Sequence, residues 1–269
     1  MKLKLLVLIL IVLLLVIFNL VKFPCNCLEN FENNKKAKKI LLLIFSCKKY
    51  ESRIETMRKI GYLKYLEDRN IDYLVVTGNE NLSNDYNLDL DSKKLVVKEK
   101  DTYEGLPYKV IRTFYTIIDS DLLNYEYVIK SDDDCLVNID RINNNFDKIN
   151  GEDYVGRLNN FKETYNPNWN GLKNRSQYLG PYMNGGTGYI LSYKALETIS
   201  QSKETNSKLL KDELYEDKLV GDILRLNGYK FKKHEIWNSI PQETNKIEDY
   251  EEFVKNSKNQ SITTFYGPQ

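Results

Sequence analysis

Asp132-Asp133-Asp134 stands between two apolar runs, with Tyr127-Val128-Ile129 before it and Cys135-Leu136-Val137 after it. The flanking runs belong in a core, where strands are buried. The acids do not: adjacent carboxylates repel, and burying them unpaired costs roughly several kcal/mol or forces protonation. A solvated acidic turn would relieve the repulsion, but the apolar brackets speak against it. The pattern instead describes a strand that delivers clustered carboxylates to its end, where something positive meets them. A divalent cation is the natural candidate.

The rest of the first half supplies a setting for that strand. Lys39 opens a continuous apolar run, Ile40 to Phe45, as in a strand buried on both faces. Tyr50 to Arg69 has loosely helical spacing, Ile71 to Thr77 reads as a second buried strand, and Leu95-Val96-Val97 follows an Asp/Asn-rich loop. Leu106 to Ile118 is the clearest helix, with Val110, Ile111, Phe114, Ile117 and Ile118 on one stripe. Alternation of this type predicts an α/β domain with a mostly parallel central sheet, whose ligands collect at the carboxyl ends of its strands. The second half is less regular. Tyr154–Arg157 and Tyr189–Ser192 are short strand candidates, and Asn184-Gly185-Gly186-Thr187-Gly188 lies in a loop-rich stretch between them. Glu216 to Asn227 reads as a helix closed by Gly228.

Leu5 to Val21 is apolar apart from Asn19 and follows Lys2 and Lys4, which suggests an uncleaved signal anchor over residues 1–21. A cleavable signal peptide is the rival reading, which Phe23 to Cys27, lacking a small-x-small site, speaks against. Residues 22–38 read as a polar stem, 39–245 as the main folded domain and 246–269 as a charged, polar tail. Lysines at 35, 36, 38 and 39 compete with Lys2 and Lys4, so charge alone leaves the orientation of the anchor open. A net charge of +1 gives no reason to invoke nucleic acid. Cys25, Cys27, Cys47 and Cys135 show no metal-ligand spacing.

Several segments in register resemble glycosyltransferase family 31, the β1,3-galactosyl- and N-acetylglucosaminyltransferases and their Fringe-like relatives. Lys130-Ser131-Asp132-Asp133-Asp134-Cys135-Leu136-Val137-Asn138 is similar to the family's K-[TS]-D-D-D-x-x-V-N block. Tyr178 to Ser192, with its glycine cluster, resembles the Y-P-x-Y-x-x-G-x-G-Y-x-L-S block, and Glu216-Asp217-Lys218-Leu219-Val220-Gly221 resembles E-D-V-x-x-G. Arg53 with Arg58, and Asp101 to Lys109, resemble blocks further upstream. The resemblance covers roughly residues 40–235. It departs from the family pattern at Ile60-Gly61, where Thr-Trp is usual, and at Lys218, where an apolar residue is usual.

The resemblance implies a GT-A-type nucleotide-diphosphate-sugar-binding fold. It implies transfer of a hexose or N-acetylhexosamine (galactose, N-acetylglucosamine or similar) from a UDP-sugar to a glycan, glycoprotein or glycolipid acceptor, with inversion to a β1,3 linkage. Mn²⁺ or Mg²⁺ on Asp132, Asp134 and His234 would neutralise the leaving diphosphate. Arg58, Lys130, Asp132, Asp133, Gly185 and Gly186 would line the donor site. Asp217 would act as general base, although an acid at a helix start is also a common capping choice. For His234 a surface position in a Lys-rich strand stays equally open, as does core packing for Trp169, Tyr178 and Tyr182. The placement implied is a type II membrane protein with its catalytic domain in the Golgi or ER lumen. The enzymatic alternative is a metal-dependent transferase that uses a different nucleotide sugar, retention included; the alternative from another class is an inactive, carbohydrate-binding relative with the same fold.

Overall fold

In the computed structural model, residues 40–120, 125–159, 168–169, 172–173, 180–237, 242–244, 247–256 and 263–266 are described. All belong to the second of two units into which the chain divides, Lys38–Gln269. The expected anchor and stem lie outside these residues. Among the described residues no helix is long and apolar enough to cross a membrane.

The first half runs β1 (Ile40–Phe45), α1 (Glu51–Lys59), α2 (Tyr62–Asp68), β2 (Asp72–Gly78), β3 (Tyr86–Asp89) and β4 (Lys94–Val97). It continues through α3 (Leu106–Asp119), β5 (Tyr127–Asp132), β6 (Cys135–Val137), α4 (Ile139–Asn144) and α5 (Phe146–Ile149). The second half contains β7 (Tyr154–Gly156), β8 (Leu158–Asn159), β9 (Asn168–Trp169), β10 (Leu172–Lys173), β11 (Tyr182–Met183) and β12 (Tyr189–Ser192). After these come α6 (Tyr193–Gln201), α7 (Lys203–Leu210), α8 (Glu216–Leu226), β13 (Gln242–Thr244), α9 (Tyr250–Asn256) and β14 (Thr263–Tyr266).

Seven strands form the central sheet in the order β3-β4-β2-β1-β5-β12-β7. Strands β4, β2, β1 and β5 are parallel neighbours. At the edges, β3 is antiparallel to β4 and β12 to β5, and β7, antiparallel to β12, points with β5 again. The sheet is therefore mixed and mostly parallel. Buried strand β1 shows why its sequence is apolar throughout. Ile40, Leu42 and Ile44 enter one core and Leu41, Leu43 and Phe45 the other, as alternation across a pleat requires. The first core is closed by α1, α2 and α4, with Met57, Tyr62, Tyr65 and Ile142 fully buried. On the opposite face, Val110, Ile111, Phe114 and Ile117 of α3 pack beside the apolar stripes of α6 and α8. The result is a helix–sheet–helix sandwich.

The helical stretch expected over Tyr50–Arg69 is broken in two. Gly61 takes φ 77°, a left-handed conformation that most side chains resist, and starts α2 on a new axis. This break occupies the place where the family pattern has Thr-Trp. The Asp/Asn-rich loop holds β3, whose Tyr86 and Leu88 are half buried. Residues 246–269, read as a polar tail, are partly structural. Tyr250 of α9 is 1% exposed and packs edge-on against Tyr62 and Tyr65. Strand β14 pairs antiparallel with β6, the segment leaving the aspartates.

Candidate active site

The parallel strands carry their carboxyl ends to one edge of the sheet. Ser46 follows β1, Gly78 ends β2, and the aspartates leave β5 beside them. Buried Lys109, reaching from α3, fastens this edge. Its Nζ donates to the Ser46 carbonyl at 2.6 Å and to Asp101 Oδ1 at 2.9 Å, and the same Asp101 oxygen accepts the Gly78 N–H at 2.9 Å. The Asp101 to Lys109 block thus binds helix to strand ends.

Lys130 is the centre of the site. Its side chain is 1% exposed, and Nζ lies 2.7 Å from Asp132 Oδ1, 2.6 Å from Glu216 Oε1 and 3.2 Å from the Gly185 carbonyl. Three protons thus meet three acceptors. Burial alone would lower its pKa, but the Asp132 and Glu216 charges reverse this and hold it above the ordinary lysine range. Glu216, buried with it, also accepts from the Tyr189 hydroxyl at 2.9 Å. Desolvation raises its pKa, with Lys130 opposing.

The three acids end in different surroundings. Asp132 belongs to Lys130. Asp133, 6% exposed, accepts from Ser46 Oγ at 2.7 Å and from Arg53 Nη1 at 2.7 Å. Asp134, 39% exposed, receives the same arginine nitrogen at 3.2 Å. Burial pushes the pKa of both upward, and the charge of Asp132 adds to this. Arg53, from the first turn of α1, is the cation that serves them. Arg58 lies elsewhere, on the exposed face of the same helix and paired with Glu55. The sequence gives one guide to that difference: five residues advance a helix about 7.5 Å along its axis, away from the strand end where α1 starts.

Across the Gly185 loop stands Asp217, in the first turn of α8. Its Oδ2 accepts the Gly185 N–H and its Oδ1 the Lys218 N–H, both at 2.8 Å. Desolvation by burial, followed by repulsion from Glu216, raises its pKa to about 7. Gly185 is required by close approach, since a Cβ there would sit 2.1 Å from Glu216 Oε1. Gly188 is required by conformation as well, with φ 74° and a Cβ position 2.8 Å from the Lys130 carbonyl. At Gly186 a Cβ would meet nothing nearer than Asn184 Oδ1 at 3.6 Å.

Residues 90–235 match the profile described as galactosyltransferase, over more than half of the chain. The chain belongs to the galactosyltransferase family. Family membership supports a role in glycosyl transfer and, with it, a nucleotide-sugar donor and a glycan acceptor. Among solved structures the chain is similar to a glycosyltransferase involved in the glycosylation of the major capsid of PBCV-1. That likeness has 14% identity and a TM-score of 0.46, covering 84% of this chain and 92% of the other. The search of curated proteins returned no match.

Within this family member the expected residues are only partly gathered. Lys130, Asp132, Asp133, Asp134, Gly185 and Asp217 form one connected cluster, joined by Arg53, Ser46 and Glu216. His234 is 8% exposed and sits against α5, its Nε2 2.8 Å from the Lys148 carbonyl, while Nδ1 has no partner among the described residues. Among those residues no three His, Cys, Asp or Glu side chains converge as a group able to hold a metal ion. The donor chemistry nonetheless fits a divalent cation at the aspartates. Five carboxylates (Asp132, Asp133, Asp134, Glu216, Asp217) face two cations (Lys130, Arg53), leaving three negative charges when all are ionised. A diphosphate could not approach that surplus without a positive partner.

Two further placements explain sequence features. Lys218, in the usual apolar position, is fully buried with Nζ 2.8 Å from Glu213 Oε2 and 2.5 Å from Asp222 Oδ2. Tyr182 is core, its Cβ 2.6 Å from where a Gly221 Cβ would be. Tyr178 lies outside the described residues.

Proposed function

We propose that the chain is an inverting, GT-A-type glycosyltransferase that moves a hexose or N-acetylhexosamine from a UDP-sugar to a glycan acceptor, with a β1,3 linkage as the expected product. The observation that carries this reading is Asp217. Direct displacement needs a carboxylate poised near neutral pH to take the acceptor hydroxyl's proton on the face opposite the leaving group. Asp217 has the raised pKa, one N–H bond on each oxygen that fixes its orientation, and a link through Gly185 to Lys130 and its carboxylates. Asp132 and Asp134 would hold Mn²⁺ or Mg²⁺, which when bound supplies charge neutralisation at the departing diphosphate. Lys130 holds Asp132 and Glu216 in place through its ion pairs, and Gly185 lets α8 approach close enough to present Asp217.

The test is a screen of purified full-length protein with Mn²⁺ against common UDP-sugars, following UDP release. Metal-dependent turnover that Asp134→Ala abolishes is expected. Wild type and variant equally inert toward every donor would favour a carbohydrate-binding relative without activity. The membrane anchor over residues 1–21 and a lumenal catalytic domain are part of the same proposal. Protease protection in intact microsomes is expected, and digestion there would contradict it.

A further inference from the structure

The two cations of the acidic cluster are held in opposite ways. Lys130 is enclosed by Asp132, Glu216 and the Gly185 carbonyl, and moving it would strand two carboxylates. Arg53 keeps 26% of its side chain exposed and rests over the Tyr50 ring, with Cζ 4.0 Å from the centroid. A single nitrogen serves both of its acids, and the contact to Asp134 is the longer, at 3.2 Å against 2.7 Å. Asp133 has Ser46 on its other oxygen and stays satisfied if the arginine turns.

We propose that Arg53 is an exchangeable cation. It neutralises Asp134 in the donor-free protein and yields that carboxylate when a divalent cation arrives with the nucleotide diphosphate, then turns its guanidinium to the diphosphate. The inference rests on the metal and UDP-sugar reading above. A guanidinium suits this exchange because its fork of donors matches phosphate oxygens as well as carboxylates. Only one of its nitrogens is committed to the aspartates, on a half-open helix turn. The exchange also makes metal and donor binding cooperative. Releasing Arg53 is unfavourable when nothing else takes it, and by reciprocity donor and metal raise each other's affinity by the same factor.

Mn²⁺ binding to the full-length chain in detergent, read from the electron paramagnetic resonance signal of free Mn²⁺ with and without UDP, tests the exchange. Without UDP, Arg53→Gln is expected to bind Mn²⁺ about tenfold more tightly than wild type, the equivalent of one pK unit of differential interaction. With UDP, Mn²⁺ affinity is expected to rise far more in wild type than in the variant. An Arg53→Gln affinity equal to or below that of wild type in the absence of UDP would overturn the proposal. Failure of both proteins to bind Mn²⁺ even with UDP would overturn the metal reading and the exchange with it, which separates the two failures. If Arg53→Gln does not fold by circular dichroism, Arg53→Lys serves instead. Its ammonium lacks the fork and is expected to lose the UDP coupling while keeping wild-type donor-free affinity; retained coupling would contradict the exchange.

Discussion

At the scale of single residues, the chemistry turns on which carboxylate is ionised at neutral pH. Burial, followed by repulsion from Glu216, pushes the Asp217 pKa up to about 7 from an ordinary value of 3.8. As the base it must be ionised, so kcat/KM is expected to rise with pH through an apparent value near 7. Asp217→Asn should lower kcat by roughly 10²–10⁴-fold, the usual contribution of general base catalysis, with little change in donor KM. The linkage to stability has the opposite sign. Between the unfolded and folded values the native state binds more protons, so this group's contribution falls as pH rises through that window. Urea midpoints should show Asp217→Asn gaining on wild type between pH 4 and pH 8; a constant difference would mean that the carboxyl is not perturbed. Much of this was legible. The acid triplet, Lys130, the glycine loop and Asp217 stand out because their chemistry is dense in sequence. Arg53 and Glu216 stand in the matched blocks with no role assigned, and Ser46 in none, because what recruits all three is proximity across 80 or more residues.

At the scale of elements, buried strands and the striped helix α3 were plain because one period dominates each. The sequence reading assigns nothing to 193–210, where α6 and α7 stand. Ser192 caps α6 by accepting the Ala195 N–H at 3.1 Å, a signal available in the sequence but adjacent to a strand that draws attention first. Strand β3 is hidden for a different reason. It is a four-residue edge strand, Tyr86-Asn87-Leu88-Asp89, too short for its alternation to stand out among Asp- and Asn-rich neighbours. The join between β5 and α8 depends on Lys130. Lys130→Met should destabilise the protein by about 3–5 kcal/mol, since it leaves Glu216 buried without its cation. A urea titration monitored by tryptophan fluorescence would measure this, and a loss below about 1 kcal/mol would place the pair in the class of screened surface bridges.

For the whole molecule, the sandwich places its acids at the carboxyl edge of a mostly parallel sheet, where a doubly covered sheet collects ligands. The C-terminal region was the least legible part. Its composition is that of a solvated tail, yet Tyr250 completes an aromatic cluster with Tyr62 and Tyr65, and its N–H reaches the Ile60 carbonyl at 2.8 Å. Charged neighbours mask one buried ring. Tyr250→Ala is expected to cost roughly 3–5 kcal/mol, as for other large aromatics truncated in cores. Removal of residues 247–269 should abolish activity as well, because β14 supports β6 just beyond the aspartates. A truncated protein with an unchanged melting temperature would contradict that role.

The stereochemistry of transfer tests the central claim most directly. With a UDP-α-sugar donor and a panel of glycan acceptors, the product's anomeric configuration can be read by proton NMR for wild type and Asp217→Asn. A β-linked product formed by wild type and lost in the variant is the expected result. An α-linked product, or transfer undiminished without the Asp217 carboxylate, would contradict an inverting enzyme with Asp217 as its base.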